Sequence, residues 1–258
     1  MMRAGTDASH TRESSRSIDL PDATLRRRER LMRKPFLRRV YREWYRLASD
    51  AVPSATPGRI VELGSGAGLL KETMPEAVTS DLLFLPFLDL VAGGEALPFA
   101  SGSLRSLILI DVFHHIPRPR PFLSEAARTL HNGGTIVMIE PWRTAWSEFV
   151  YRRFPHEPFD PDAQAWEFSS PGPLSGANGA LPWIVFERDR DVFEREFPRL
   201  RIEAIHLHSP LVYLLSGGFS MPATAPAFSF GFWRGIEEAL RPRMQSLAMF
   251  ARIVVTRG

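Results

Sequence analysis

The stretch Val61-Glu62-Leu63-Gly64-Ser65-Gly66-Ala67-Gly68 decides how the rest of the chain is read. With Arg59 and Ile60 ahead of it, the segment 59–63 is a short, mostly apolar run of strand length that ends in a cluster of glycines. Glycines at a strand-to-helix turn let the backbone pass close to a ligand, and the start of a helix adds unpaired N–H donors. The spacing is G-x-G-x-G, with an acid two residues before the first glycine. A dinucleotide fingerprint would read G-x-G-x-x-G, so a nicotinamide or flavin site is the weaker reading. No Gly-Lys-Ser/Thr follows, which excludes a P-loop.

Further strands are expected at 77–81, 88–91, 107–111 and 135–139, with helices from Leu69 and at 121–130, the latter stopped by Asn132-Gly133-Gly134. Strands alternating with helices make a parallel sheet covered on both faces. Right-handed crossovers then line up the strand C-termini along one edge, where ligands bind. Later text adds helices at 189–197 and 232–240 and strands at 200–208 and 250–256. Upstream, residues 23–50 form a helical cover, split at Pro35, with an apolar stripe of Phe36, Leu37, Val40, Trp44, Tyr45 and Leu47. Residues 1–22 lack the apolar run of a signal peptide and read as a disordered tail, and the chain is expected to be cytoplasmic. Residues 51–258 make the main domain, with an aromatic, proline- and glycine-rich insert at about 142–185.

Composition narrows the chemistry. The 258 residues contain no cysteine, which removes disulfides, thiolate zinc sites, iron–sulfur clusters and a cysteine nucleophile. Lys34 and Lys71 are the only lysines, and both stand in charged surroundings that do not suit a Schiff base. No 18-residue apolar run suggests a membrane span. The net charge of +3 is uneven: residues 1–50 hold 13 basic and 7 acidic side chains, so the body is mildly acidic.

Five stretches in order and spacing carry a resemblance across roughly residues 40–141: VELGSGAG at 61–68, Ser80-Asp81, Gly94-Glu95-Ala96-Leu97-Pro98-Phe99, Asp111-Val112-Phe113-His114-His115-Ile116, and Asn132-Gly133-Gly134 before a strand. Together they resemble the class I S-adenosylmethionine-dependent methyltransferases, specifically the type 11 small-molecule group. The resemblance implies a doubly wound, Rossmann-like α/β fold with a seven-stranded sheet, mostly parallel and closed by antiparallel C-terminal strands. It implies S-adenosylmethionine as cofactor. Gly64, Ser65, Gly66 and Gly68 would pass beneath its methionine part, and Glu62 would orient that loop or receive the ammonium through water. Asp81, with Leu82 beside it, would accept from both ribose hydroxyls. Backbone groups around Glu95, Ala96 and Leu97 would frame the adenine, and Asp111 would meet the methionine end or the substrate. Gly93 stands where such proteins usually carry an acid for the adenine amino group, and Arg105 where they carry an aspartate.

For catalysis, His114 and His115 follow the fourth strand, and Glu140 ends the fifth. Either histidine could take an acceptor proton or simply cap the next helix, and Glu140 could hold a substrate or cap a helix. His156 and Glu157 in the insert are further candidates. A metal site from His114, His115, Glu140 and His156 matches no ligand spacing, so no metal is expected. The aromatic segments at 142–183 and 210–233 fit a hydrophobic or aromatic small-molecule acceptor, a lid core, or a homodimer face. The arginines at 26–28, 30, 33, 38, 39, 42 and 46 read as a solvated helix face ahead of a nucleic-acid site or a membrane-surface contact. Two rivals stand beside a small-molecule enzyme. One is a catalytically silent scaffold of the same fold. The other is an RNA methyltransferase, disfavoured because the fourth strand ends in Asp-Val-Phe-His-His instead of an Asn/Asp-Pro-Pro-Phe/Tyr sequence.

Overall fold

The computed structural model describes residues 19–154, 157–172 and 174–258. Most of the expected tail, and His156, lie outside the described residues. Seven strands build one sheet: β1 (Arg59–Leu63), β2 (Val78–Asp81), β3 (Leu90–Val91), β4 (Leu104–Ile110), β5 (Leu130–Pro141), β6 (Leu200–His208) and β7 (Phe250–Arg257). Their order is β3-β2-β1-β4-β5-β7-β6. Pairing is parallel from β3 to β5, and β7 runs antiparallel to both β5 and β6. This is the doubly wound sheet expected from the sequence. The order reverses between β1 and β4, so the crevice for a ligand opens at their C-terminal ends.

Because side chains alternate across a strand, each face receives its own apolar set. Ile60, Ile108, Ile110, Val137 and Ile139 meet Phe36, Leu37, Val40 and Trp44 on one face. Val61, Leu63, Leu107, Leu109, Ile136 and Met138 meet Phe122, Leu123, Ile184 and Phe186 on the other. The N-terminal helices are α1 (Pro21–Arg33) and α2 (Pro35–Ser49), with a proline at the start of each. Pro35 disfavours helical dihedrals in the residue before it, and Lys34 accordingly sits at φ −106°, ψ 90°, so the helix breaks there. Lys34 then donates from Nζ to the Gly218 and Met221 carbonyls, at 2.7 and 2.5 Å, tying the junction to a distant loop.

Three elements differ from expectation. The helix α3 (Pro119–Thr129) ends before Asn132-Gly133-Gly134, and β5 already begins at Leu130. A Cβ on Gly134 would lie 2.9 Å from the Arg105 and His131 carbonyl oxygens, so this glycine permits close approach of β5 to β4 and is not a helix stop. The helix expected from Leu69 is a single 3-10 turn, Leu70–Glu72. Inside the insert lies a helix, α4 (Ala145–Arg153), started by a reciprocal cap in which the Thr144 and Ser147 side chains accept each other's backbone N–H. Serine replaces the usual Glu/Gln of that motif, which hid it in the sequence. Among the described residues, no helix is long and apolar enough to cross a membrane.

Candidate active site

The glycine loop leaves β1 and is laced to β2. Ser65 N–H donates to the Ser80 carbonyl at 2.8 Å, the Ser65 hydroxyl accepts from Ser80 N–H at 3.1 Å, and Gly66 N–H donates to Asp81 Oδ2 at 3.1 Å. Gly64 has φ +64°, and a Cβ there would lie 2.7 Å from a Val112 methyl, so loop and β4 exit pack backbone against side chain with no room for a substituent. Asp81 is buried at the end of β2, with Oδ1 accepting from Leu83 N–H at 3.1 Å. Burial pushes its carboxyl above the ordinary aspartate value, against the pull of those backbone donors. Glu62 lies fully buried behind the loop with the Ser65 and Tyr45 hydroxyls beside it, and burial raises it to about 7. Its Oε2 is buried without a hydrogen-bond partner.

A cavity of about 810 Å³ opens over these strand ends. Its polar half is walled by Leu63–Ala67, Asp81, Leu82, Gly93–Ala96 and Asp111. Arg26, Arg27 and Arg30 of α1 close over it. Its aromatic half carries Tyr41, Tyr151 and Tyr213 with Phe219 and Phe250, and the fourth tyrosine of the chain, Tyr45, borders the cavity beside Glu62 under the glycine loop. Burial holds each phenol well above its ordinary pKa, so all four are neutral and able to donate.

Where the halves meet lies an acid–imidazole cluster. Asp111 turns out of β4 with φ 63°, a left-handed conformation that aspartate tolerates better than most residues. Burial raises its carboxyl above the usual range. Glu140, fully buried at the end of β5, accepts at Oε1 from Val112 N–H (2.9 Å) and Phe113 N–H (2.7 Å). Its Oε2 lies 2.7 Å from His114 Nδ1. On the far side of that ring, His114 Nε2 is 3.1 Å from Glu157 Oε2. Burial alone would lower the His114 pKa, but hydrogen bonds to Glu140 and Glu157 carry it well above the ordinary value. His115 stands on the cavity wall with Nδ1 3.0 Å from the Gly176 carbonyl. Burial, followed by the neighbouring His114, lowers it to about 4, so it is neutral.

Residues 61–138, from β1 through β5, match the family model described as a methyltransferase domain. That segment reads as a methyltransferase domain, and the sheet around it has the class I methyltransferase fold. S-adenosylmethionine is the cofactor of that class. The methyltransferase fold is similar to that of a chain from the complex of the Haloferax volcanii Trm112 methyltransferase activator, with 15% identity, 92% of this chain and 95% of that chain covered, and a TM-score of 0.52. It is also similar to geranyl diphosphate C-methyltransferase from Streptomyces coelicolor A3(2), with 13% identity over 86% of this chain and 81% of the other at a TM-score of 0.49. At such identities the likeness is one of fold. No match is found among curated proteins.

Within the methyltransferase cavity, Gly64, Ser65, Gly66, Asp81, Leu82, Glu95, Ala96, Asp111 and His115 come together at the wall. Gly68 does not reach it. A Cβ there would meet Phe87 at 3.1 Å and Arg28 at 3.2 Å, and the Arg28 guanidinium lies 4.2 Å from the Phe87 ring centre. The Leu97 backbone is engaged elsewhere, its N–H donating to Glu125 and its carbonyl accepting from Arg128, so it frames nothing in the cavity. Glu140 also stays out. Both of its oxygens serve residues 112–114, which makes it the cap of the 3-10 turn Phe113–His115 and not a substrate contact. His114 is sealed between two carboxylates and does not line the cavity, whereas its neighbours His115 and Glu157 do. Tyr41, Tyr45 and Arg27 were not among the residues expected at the site. The concentration of every tyrosine in segments flanking the strand ends was the available signal. A Cβ on Gly93 would meet only the terminal methyl of the exposed Leu82, at 2.9 Å, so the space there does not require glycine.

The residues present suit the cofactor. Glu62 does not reach the cavity wall; from behind the loop it holds Ser65 and can act on an ammonium only through its charge, while Asp81 supplies an acceptor-only carboxylate for a diol. Arg27, half-buried on the cavity wall close enough to Asp81 and Asp111 to lower both carboxyls, carries the positive charge a methionine carboxylate needs.

Proposed function

We propose that this methyltransferase moves the methyl group of S-adenosylmethionine to an oxygen or nitrogen of a small hydrophobic or aromatic molecule. The observation that carries the reading is the continuity of one cavity from the glycine loop and Asp81 to Tyr41, Tyr151 and Tyr213, with His115 and Glu157 between. Bound at the polar half, the cofactor supplies an electrophilic sulfonium methyl. The chain's own contribution is alignment and proton acceptance. Leu82, Gly93, Glu95 and Ala96 support the adenine, Asp81 holds the ribose, and the aromatic half excludes water and orients the acceptor. The His115 Nε2 and Glu157 face receives the acceptor proton, an effect of about 10²–10⁴-fold in rate. Incubation with S-adenosylmethionine tritiated in its methyl group, alongside a small-molecule extract and total RNA, tests this. Label is expected in apolar small molecules. Label confined to RNA would refute the reading, and so would cofactor binding without any labelled product.

Glu62 makes cofactor binding depend on pH. The groups facing it are Ser65, Tyr45 and the Asp81 carboxylate, and its own carboxyl titrates at about 7 in the empty chain. An ammonium ligand prefers the ionised form, so affinity for S-adenosylhomocysteine is expected to fall as pH drops below 7, approaching tenfold per unit. Glu62→Gln should flatten that profile. Folding has the opposite sign: the native pKa exceeds the unfolded one, so stability declines as pH rises from about 4.5 to 7 and Glu62→Gln should raise Tm at pH 8. Calorimetry and thermal melts at pH 6 and 8 check both. A profile unchanged by the substitution would mean that the Glu62 charge does not act on the ammonium.

A further inference from the structure

Hydrogen positions in the imidazole cluster follow from its partners. The Gly176 carbonyl can only accept, so His115 Nδ1, 3.0 Å away, carries the hydrogen and Nε2 holds the lone pair of the neutral ring. The Glu140 carboxylate also accepts, which assigns the same tautomer to a neutral His114. Both lone pairs then point toward one carboxylate oxygen: Glu157 Oε2 is 3.1 Å from His114 Nε2 and 3.6 Å from His115 Nε2. Lone pairs and a carboxylate oxygen repel at these separations, so positive charge has to lie among them. A proton on His114 supplies it in the chain alone.

From this geometry we propose that His114, His115 and Glu157 bind one divalent transition-metal ion of the zinc, cobalt or iron type. The three ligand atoms lie within 4.8 Å of one another, close to the spread of a ligand set around an ion with bonds of about 2.0–2.2 Å. Two imidazoles and one carboxylate suit such an ion better than magnesium, which prefers oxygen donors. Each histidine is also supported as metal-binding histidines are, with the second ring nitrogen tied to a carboxylate (Glu140) or a backbone carbonyl (Gly176). His115 and Glu157 line the cavity, so the remaining coordination positions face it and an acceptor oxygen or nitrogen can enter; with the ion bound, these two side chains serve as ligands and no longer as the proton acceptors of the metal-free chain. The ligands are two adjacent residues on a 3-10 turn and a third 43 residues beyond the first, a spacing that matches no sequence motif.

The full chain, stripped of metal by chelator dialysis, should bind one equivalent of Co²⁺ with visible d–d absorption, and Zn²⁺ should displace it. His115→Ala and Glu157→Gln should each weaken Co²⁺ binding by at least about tenfold. Anomalous diffraction from zinc-soaked wild-type crystals should place the ion between the three side chains, independently of how the variants fold. Absence of the spectrum at stoichiometric Co²⁺, affinity unchanged in both variants, or an anomalous peak elsewhere overturns the proposal. S-adenosylhomocysteine binding, measured calorimetrically on the same samples, separates the two readings. Its retention without a cobalt site defeats the metal alone, and its loss beside an intact cobalt site defeats the cofactor reading alone.

Discussion

Glu140→Ala is expected to destabilise the fold by about 3–5 kcal/mol, lowering Tm by on the order of 10 °C. The fully buried carboxylate receives two backbone N–H groups at Oε1 and the His114 ring at Oε2. Deleting it leaves those donors in an apolar enclosure, and each unsatisfied buried donor costs about 1–3 kcal/mol. It also leaves His114 fully buried with Glu157 as its remaining ring partner, so charge and cavity add to the penalty. Against a total stability of about 5–15 kcal/mol, such a loss is a large fraction of the margin. Glu140→Gln keeps an acceptor for Val112 and Phe113 and should lose less. Urea unfolding reads the result as a shift in midpoint at constant slope. A loss under 1 kcal/mol for the alanine variant would mean that Glu140 does not hold the 112–115 turn.

Asp81→Ala is expected to do the reverse, sparing stability and removing affinity. Two charge-assisted hydrogen bonds to ribose hydroxyls, each worth about 1.5–3 kcal/mol, correspond to at least about a 100-fold loss in cofactor binding. The Gly66 N–H is released at the same time, loosening the loop that lies under the methionine part. Stability changes little because the buried carboxylate carries a desolvation cost, visible as its raised pKa, that offsets the loss of its bonds to Gly66 and Leu83. Calorimetry with S-adenosylhomocysteine and a parallel melt measure both quantities. An unchanged affinity would place the ribose elsewhere.

What could be read in the sequence was what depends on neighbours along the chain. The glycine loop, the acid ending β2 and the alternation of apolar runs each act over a few residues, and the parallel part of the sheet followed from them, whereas its antiparallel end came only from the resemblance to a known family. Pro35 broke the N-terminal helix for an equally local reason. For Glu140 the sequence left capping and substrate binding side by side, because the choice depends on the distance from the end of β5 to a backbone turn after β4. Leu97 was misplaced for the same reason: Glu125 and Arg128 on α3 take its backbone groups, and nothing near Leu97 in the chain announces them. Tyr45 read as part of a core stripe, and Tyr41 drew no reading; both pack into the core. Their rings also border the cavity, a double role that helical spacing does not distinguish. His114, His115, Glu140 and Glu157 were candidates in the sequence, but their arrangement was not readable because it joins a 3-10 turn to an insert and to the backbone at Gly176.

The claim at the centre is that the glycine loop and Asp81 hold S-adenosylmethionine. Isothermal titration of the full chain with S-adenosylmethionine and S-adenosylhomocysteine tests it most directly. One site per chain for both ligands is predicted, weakened at least about 100-fold by Asp81→Ala. No heat of binding from either ligand, with the chain folded by its melt, would contradict it.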